Sequence, residues 1–460
     1  MKNLSRTLSG VSAFCVLALA GCNAAPDVDA NSFSDVDFRQ LGDSSEEIKG
    51  DLLSLINNSE ETIDIALERM VDTDISDALI AAKDRGVTVR VVSDKEFEMD
   101  AGFVALADDG IPVVFGDTEL KYLPEPTLTS LMESCLETPY YRQCTQREQG
   151  SDQPDDGLMV RPENYNQMSS NFAVVDSLKV WVSSSALTAG SSLFIGWTAH
   201  SQDLSIAFTG EFQQMFGGVF SDNLDTFNGP NKSTVHGIVY DSRIPAARPG
   251  RYLKLQPGYL TNQGIIKVEF NPQQRLTKEL IDEIYRARGS VFITTDELLN
   301  DFVISALEYK HNAGFDVRVV VRAGGRLPNA LVDAGVVREA DAAIEYVPTM
   351  VVTDHEADRN GEYWGRTALV LSHSLYKPSP FEVFTPQQIG DLNEDDNVVR
   401  IYKSDMFIDG TMWTLREFGG AGRAGAGGDG VADTPVEQAE KMALDFIELW
   451  DSATPASGGN

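Results

Sequence analysis

The feature that most restricts the fold is an internal repeat. From Ser44 the run SSEEIKGDLLSLINNSEE opens with an acidic first turn and sets Ile48, Leu52, Leu53 and Ile56 on one helical face. TIDIAL, Thr62 to Leu67, follows as a short strand. Ile75 to Lys83 is a second helix stopped at Arg85-Gly86, and VTVRVVSD is a β-branched strand. The same order returns 228 positions later, where Leu280, Ile281 and Ile284 answer Leu52, Leu53 and Ile56. VFITT, from Val291, matches the first strand, and Leu307, Gly314, Arg318 and Val320 answer Leu79, Gly86, Arg90 and Val92. Agreement in unbroken register marks a duplication. Strand, helix, strand with short turns predicts an α/β chain of two similar α/β/α sandwich lobes, each a mostly parallel mixed sheet flanked by helices.

A chain of 460 residues has room for two such lobes, each with a substantial interior. The repeat maps an N-terminal lobe over 44–228 with an insertion at 117–167, a mostly irregular link over 229–263, and a C-terminal lobe over 264–418. GGAGRAGAGGDG opens a flexible linker, 419–434, before a terminal helix and tail, 435–460. There Ala439, Met442, Ala443, Phe446, Ile447 and Trp450 form an apolar face expected to dock on the chain's own core. A net charge of -33 makes most of the surface repel phosphates, so nucleic acid is not an expected partner.

Lys2 and Arg6 precede an apolar run that closes on LAGC, Leu19 to Cys22. Residues 1–22 therefore read as a secretory signal, and 23–43, acidic and unpatterned, as a tether. The LAGC ending resembles the bacterial lipobox, which implies lipidation of Cys22; Asn23 after it implies an outer-membrane destination. Cys135 and Cys144 lie close together in a polar insertion of an exported chain, which points to a local disulfide. Two cysteines with no His nearby are a weak zinc case, and no cofactor is expected.

Chemistry is sought first in MSSNFAVVDSLKVWVSSSALT, Met168 to Thr188: a polar lead-in, a strand from Phe172, Asp176, a second strand from Lys179, and a serine run. EYVPTMVVTD, closing on Asp354, and ALVLSHSL, containing Ser372, repeat that outline. Two such units, each with a strand ending in Asp and then a Ser-rich turn, resemble the phospholipase D superfamily. The resemblance runs from about Ser44 to Phe418 and implies a pseudo-twofold, two-lobed fold. In that family each half carries HxKxxxxD with a downstream Ser and Asn. One His attacks phosphorus, the other protonates the leaving group, and the Lys pair holds the phosphate oxygens. Neutral imidazole is a nucleophile at pH 7, imidazolium is an acid, and a phosphate needs fixed donors.

Against that pattern the first half has Ser169 in the His slot, Asn171 in the Lys slot, Asp176 at the Asp, Ser184 at the downstream Ser and Ala186 at the Asn. The second half has Val347 and Thr349 in the His and Lys slots, Asp354 at the Asp, Ser372 at the Ser and Ser374 at the Asn. Both motif histidines and both lysines are replaced. His373, between Ser372 and Ser374, and His355, after Asp354, are the candidates for a relocated imidazole near the cleft. Asp203, after His200, is a candidate for the family's later acidic residue. Walker, HExxH and GxSxG patterns are missing, and DLNEDDN (Asp391 to Asn397) lacks EF-hand spacing.

The expected protein is an exported, lipid-anchored module of the cell envelope, with both motifs degenerate and a binding or structural role. The rival expectation is a divergent phosphodiesterase acting on phospholipids or other phosphodiesters through His373, His355 or Ser169. A third makes the stapled insertion the partner-binding part. Because the family often pairs its two motifs within one chain, a monomer suffices to complete the cleft.

Overall fold

The computed structural model describes residues 35–43, 45–116, 121–123, 135–138, 141–144, 158–162, 167–187, 192–216, 232–235, 238–241, 259–261, 264–270, 276–325, 327–355, 358, 360–361, 365–375, 380–384, 399–402, 408–416 and 435–456. The signal, Cys22, the Gly-rich linker and DLNEDDN lie outside them, as does most of the interlobe link.

The first half runs β1 (Asp35–Asp43), α1 (Ser45–Asn57), β2 (Thr62–Ala66), α2 (Thr73–Asp84), β3 (Thr88–Asp94), α3 (Ala101–Asp108), β4 (Val113–Gly116), β5 (Phe172–Val175), β6 (Lys179–Ser183), β7 (Phe194–His200) and α4 (Gln202–Gln214). Its strands form one sheet in the order β1-β7-β6-β5-β2-β3-β4. The second half runs β8 (Tyr259–Thr261), β9 (Gly264–Phe270), α5 (Leu276–Arg286), β10 (Ser290–Thr295), α6 (Asp301–Asn312), β11 (Asp316–Val321), α7 (Asn329–Asp333), β12 (Val337–Glu339), β13 (Thr349–Thr353), β14 (Thr367–Leu371), β15 (Thr411–Arg416), α8 (Pro435–Ser452) and β16 (Thr454–Pro455). Here the order is β8-β9-β15-β14-β13-β10-β11-β12-β16. From β9 to β12 the second sheet repeats the first strand for strand, and β8 and β16 are added at its edges.

The class is the α/β sandwich expected, but the balance of strand directions differs. Within these two sheets, only β2-β3-β4 and β10-β11-β12 pair in parallel. The pairs on the other side of β2 and β10 are antiparallel. Connection length decides this, because a parallel crossover needs a dozen or more residues while β5 and β6 are joined by three.

Five layers result. Ile48, Leu52, Leu79 and Phe103 of α1–α3 cover one face of the first sheet, on Ile63, Ile65 and Val91. Leu280, Ile284, Leu307 and Leu331 of α5–α7 do the same for the second sheet, on Val291, Ile293 and Val319. The other faces of both sheets share a single core with α4 and α8. Phe208 of α4 stands 5.0 Å from Phe172 of β5 and 5.2 Å from Phe270 of β9, so aromatic contacts run from one sheet to the other.

One element differs from the sequence reading and another bears it out. The stretch read as tether ends in strand β1, which lies antiparallel to β7. Its alternation of Val36 and Phe38 with Asp37 and Arg39 puts Val36 in the shared core, and Phe38 meets Trp413 at 6.1 Å. The terminal helix α8 docks on the chain's own core, as its apolar face predicts, and takes the place in the second lobe that α4 takes in the first. Phe446 stacks on Phe292 at 4.9 Å, and Arg338 donates to the Trp450 carbonyl at 2.6 Å.

Candidate functional site

Strands β5 and β13 lie mid-sheet and antiparallel to β2 and β10, so their first residues sit at the carboxyl ends of the parallel strands: Phe172 faces Ala66, and Met350 faces Thr294. Open α/β sheets present ligands at that end. Ser169, Asn171, Ser184, Val347, Thr349, Ser372 and His373 all lie there. The opposite ends carry Asp176 and Asp354.

The two aspartates hold matching places in the two halves. Asp176 accepts from the amides of Glu60, Glu61 and Thr62, and Asp354 from those of Arg288 and Gly289. Their own amides donate to Thr62 and Ser290, the first residues of β2 and β10. Both adopt left-handed backbone, φ 52° and 57°, which Asp tolerates better than most residues. Each aspartate thus ties the end of one strand to the start of its neighbour, which is a structural task. Burial pushes the Asp176 carboxyl up, but the amide donors and nearby Lys179 outweigh it and hold the carboxyl below the usual range. At Asp354 burial wins over two amides and raises the carboxyl.

The slots that would hold imidazole and ammonium contain neither. Val347 is fully buried in the shared core. Thr349 bonds Thr295 through their hydroxyls at 3.0 Å. Asn171 accepts from the Glu68 amide and donates to the Ser169 carbonyl. Ser184 accepts from the Ile195 amide at 3.1 Å. Ser169 is at 0% exposure, and among the described residues its hydroxyl has no hydrogen-bond partner.

What converges does so across the seam between lobes. Thr411, at the start of β15, shares a 2.9 Å hydroxyl contact with Ser170 of the first lobe. Its amide donates to the Ser372 hydroxyl at 2.8 Å, and its carbonyl accepts from the Ser372 amide. Just before it, Ile408–Asp409 pairs in parallel with Gln167–Met168. His373 is buried beside this junction: its Nδ1 lies 3.0 Å from the Ser374 carbonyl, and a Cβ on Gly410 would fall 2.6 Å from its ring. Thr411 and Gly410 escaped the sequence reading because neither belongs to a repeated pattern; only the weld between lobes singles them out.

Other candidates are elsewhere. His355 follows Asp354 at the far end of β13, roughly 20 Å along the strand from Thr349. There it accepts from Arg366 Nε and faces Phe292. Register therefore removes it from the cleft. His200 and Asp203 are exposed at the same remote end, since His200 pairs with Lys179.

The long insertions of the two halves meet each other. Lys121–Leu123 and Leu158–Pro162 from the first half join Pro380–Phe384 and Val399–Tyr402 from the second in one four-stranded antiparallel sheet. Connections of four residues, 163–166 and 376–379, keep the Pro162 and Pro380 ends of that sheet within about 18 Å of Gln167 and Leu375. Fixed charge at the site end includes acid: Asp94 accepts from the Met168 and Glu96 amides, and Asp296, raised by burial against the pull of Arg322, pairs with that arginine at 2.7 Å. The two histidine slots thus hold Ser169 and Val347, and the two lysine slots Asn171 and Thr349.

The family model described as "Cardiolipin synthase, PLD-like domain" matches residues 52–215. No curated protein matches the chain. Among solved structures it is similar to phosphatidylserine synthase of Haemophilus influenzae Rd KW20, at 11% identity over 91% of this chain and 85% of that one, TM-score 0.48. It is also similar to Nuc, a phospholipase D family member from Salmonella typhimurium, at 17% identity over 39% of this chain and 93% of that one, TM-score 0.26. For NucT from Helicobacter pylori the values are 13%, 40%, 95% and 0.26. A PLD-like domain is thus matched over residues 52–215, in the first half, and the strand order of that half is repeated in the second.

Proposed function

We propose that this phospholipase D-like protein is a lipid-anchored envelope module that binds or braces and does not turn over phosphodiesters. One observation carries the reading: both histidine slots, Ser169 and Val347, are fully buried, one with no hydroxyl partner among the described residues and one apolar. Neither can attack phosphorus and leave a phosphohistidine. Purified mature protein incubated with a chromogenic phosphodiester and with phosphatidylcholine is expected to give no turnover above buffer. Turnover lost in His373→Ala or Ser169→Ala would overturn this.

A divergent phosphodiesterase is the second reading, favoured by His373 at the seam next to Ser372. It requires a pH-rate profile that His373→Ala removes. The anchor rests on the LAGC ending at Cys22. Palmitate labelling and fractionation with membranes are expected of the parent and lost in Cys22→Ala; a variant still fractionating with membranes would contradict the anchor. The envelope partner is a phosphodiester or a protein.

A further inference from the structure

Within the first insertion, Cys135–Thr138 and Tyr141–Cys144 form a two-stranded antiparallel ribbon with the register Cys135↔Cys144, Leu136↔Gln143, Glu137↔Arg142 and Thr138↔Tyr141. The two cysteines are thus directly opposed, and no residue of slack separates them. Only residues 139 and 140 connect the strands. In a two-residue hairpin the pair flanking the loop, Thr138 and Tyr141, exchanges backbone hydrogen bonds. Counting back, Glu137/Arg142 is a non-bonded pair, Leu136/Gln143 a bonded one and Cys135/Cys144 non-bonded. Opposed residues at non-bonded positions have Cα atoms roughly 4.5 Å apart and the closer side chains, within the range of about 4.4–6.8 Å that a disulfide spans.

We propose that Cys135 and Cys144 close a disulfide across this ribbon, which staples the segment between two strands of the four-stranded cap sheet, Lys121–Leu123 and Leu158–Pro162. Sequence supports the same pairing. The other two cysteines of the chain, Cys15 and Cys22, lie in the leader, so these two have each other as partner. Glu137 and Arg142, opposite in charge, share the face of the cysteine pair and favour the same register. A ribbon of two four-residue strands is marginal alone, and a covalent link restricts its unfolded forms.

Formation needs a disulfide-bearing oxidant. The thiolate of one cysteine attacks a sulfur of the oxidant and expels one thiolate, leaving a mixed disulfide. The second thiolate then attacks the protein sulfur of that mixed disulfide and expels the other. The oxidant gains two electrons and leaves as two thiols, with the protons lost by Cys135 and Cys144. The pairing is independent of whether the lobes retain any turnover.

The test incubates the folded full chain with oxidised glutathione, alkylates free thiols, and maps peptides without reduction. Expected is one intramolecular Cys135–Cys144 linked peptide, lighter by two hydrogens than its parts and opened by dithiothreitol. Cys144→Ser should instead hold a glutathione adduct on Cys135. In the parent, tryptic cleavage after Arg142 should rise several-fold on reduction. Thiols that stay alkylatable after oxidation, persistent glutathione adducts in the parent, or links between chains would overturn the pairing.

Discussion

At the scale of single residues, the two halves kept what holds strands together. Asp176 and Asp354 each satisfy amides at the start of a neighbouring strand. Asp354→Ala leaves the Arg288 and Gly289 amides without their acceptor and should cost about 2 kcal/mol in urea unfolding, whereas Asn, which also tolerates left-handed backbone, should cost less. Their titrations oppose each other. A carboxyl held below its unfolded value of about 4, like that of Asp176, adds stability above pH 4 that is lost as pH falls through the folded value. Asp354, raised, contributes fully below that pH and loses the contribution as pH rises through its folded value. Asp176→Asn should therefore flatten the acid-side loss, and Asp354→Asn should gain on the parent as pH rises. Ser169→Ala removes a buried hydroxyl with no partner among the described residues and should be neutral or stabilising by about 1 kcal/mol; a clear loss would reveal a bond that matters.

At the scale of elements, repetition sorts parts by purpose. The carbonyl ends of α1 and α5 are both met by a cation: Arg85 donates to Ile56, and Lys310 to Tyr285 and Ala287. The residues differ, yet the electrostatic task is one. The helix α8 is worth more than a tail. It packs Phe446 on Phe292, pairs Glu440 with Arg366 at 3.3 Å, and hands the chain to β16, which pairs with β12. Phe446→Ala should cost about 3–5 kcal/mol in denaturant unfolding, while an exposed position of the same helix such as Leu444→Ala should cost under 1.

For the whole molecule, the decisive fact is that the lobes share one interior. Phe172, Phe208 and Phe270 link the sheets through α4, and the cap sheet and the Thr411 junction link them again at the site end. Calorimetry should therefore show one cooperative transition, not two; separate transitions would mean that the shared core contributes little. The seam is also tightly filled. Gly410→Ala drives a methyl into His373 and Ser372, so it should destabilise by about 1–3 kcal/mol without splitting the transition.

Duplication, lobe class, the core faces of α1, α5 and α8, and the loss of both histidines were legible in the chain alone. Those features are local: helical spacing, β-branched runs and the identity of a residue in a slot survive without knowledge of neighbours. Strand β1 was legible in principle from the Val36-Asp37-Phe38-Arg39 alternation but was hidden by its acidity. Strand direction and the placing of His355 needed register, because a five-residue strand such as β13 has two ends and the sequence does not say which faces the site. The convergence of Ser170, Ser372, His373, Gly410 and Thr411 needed the packed lobes. That contact joins segments about 240 residues apart, and only burial of two apolar sheet faces against α4 and α8 brings them together.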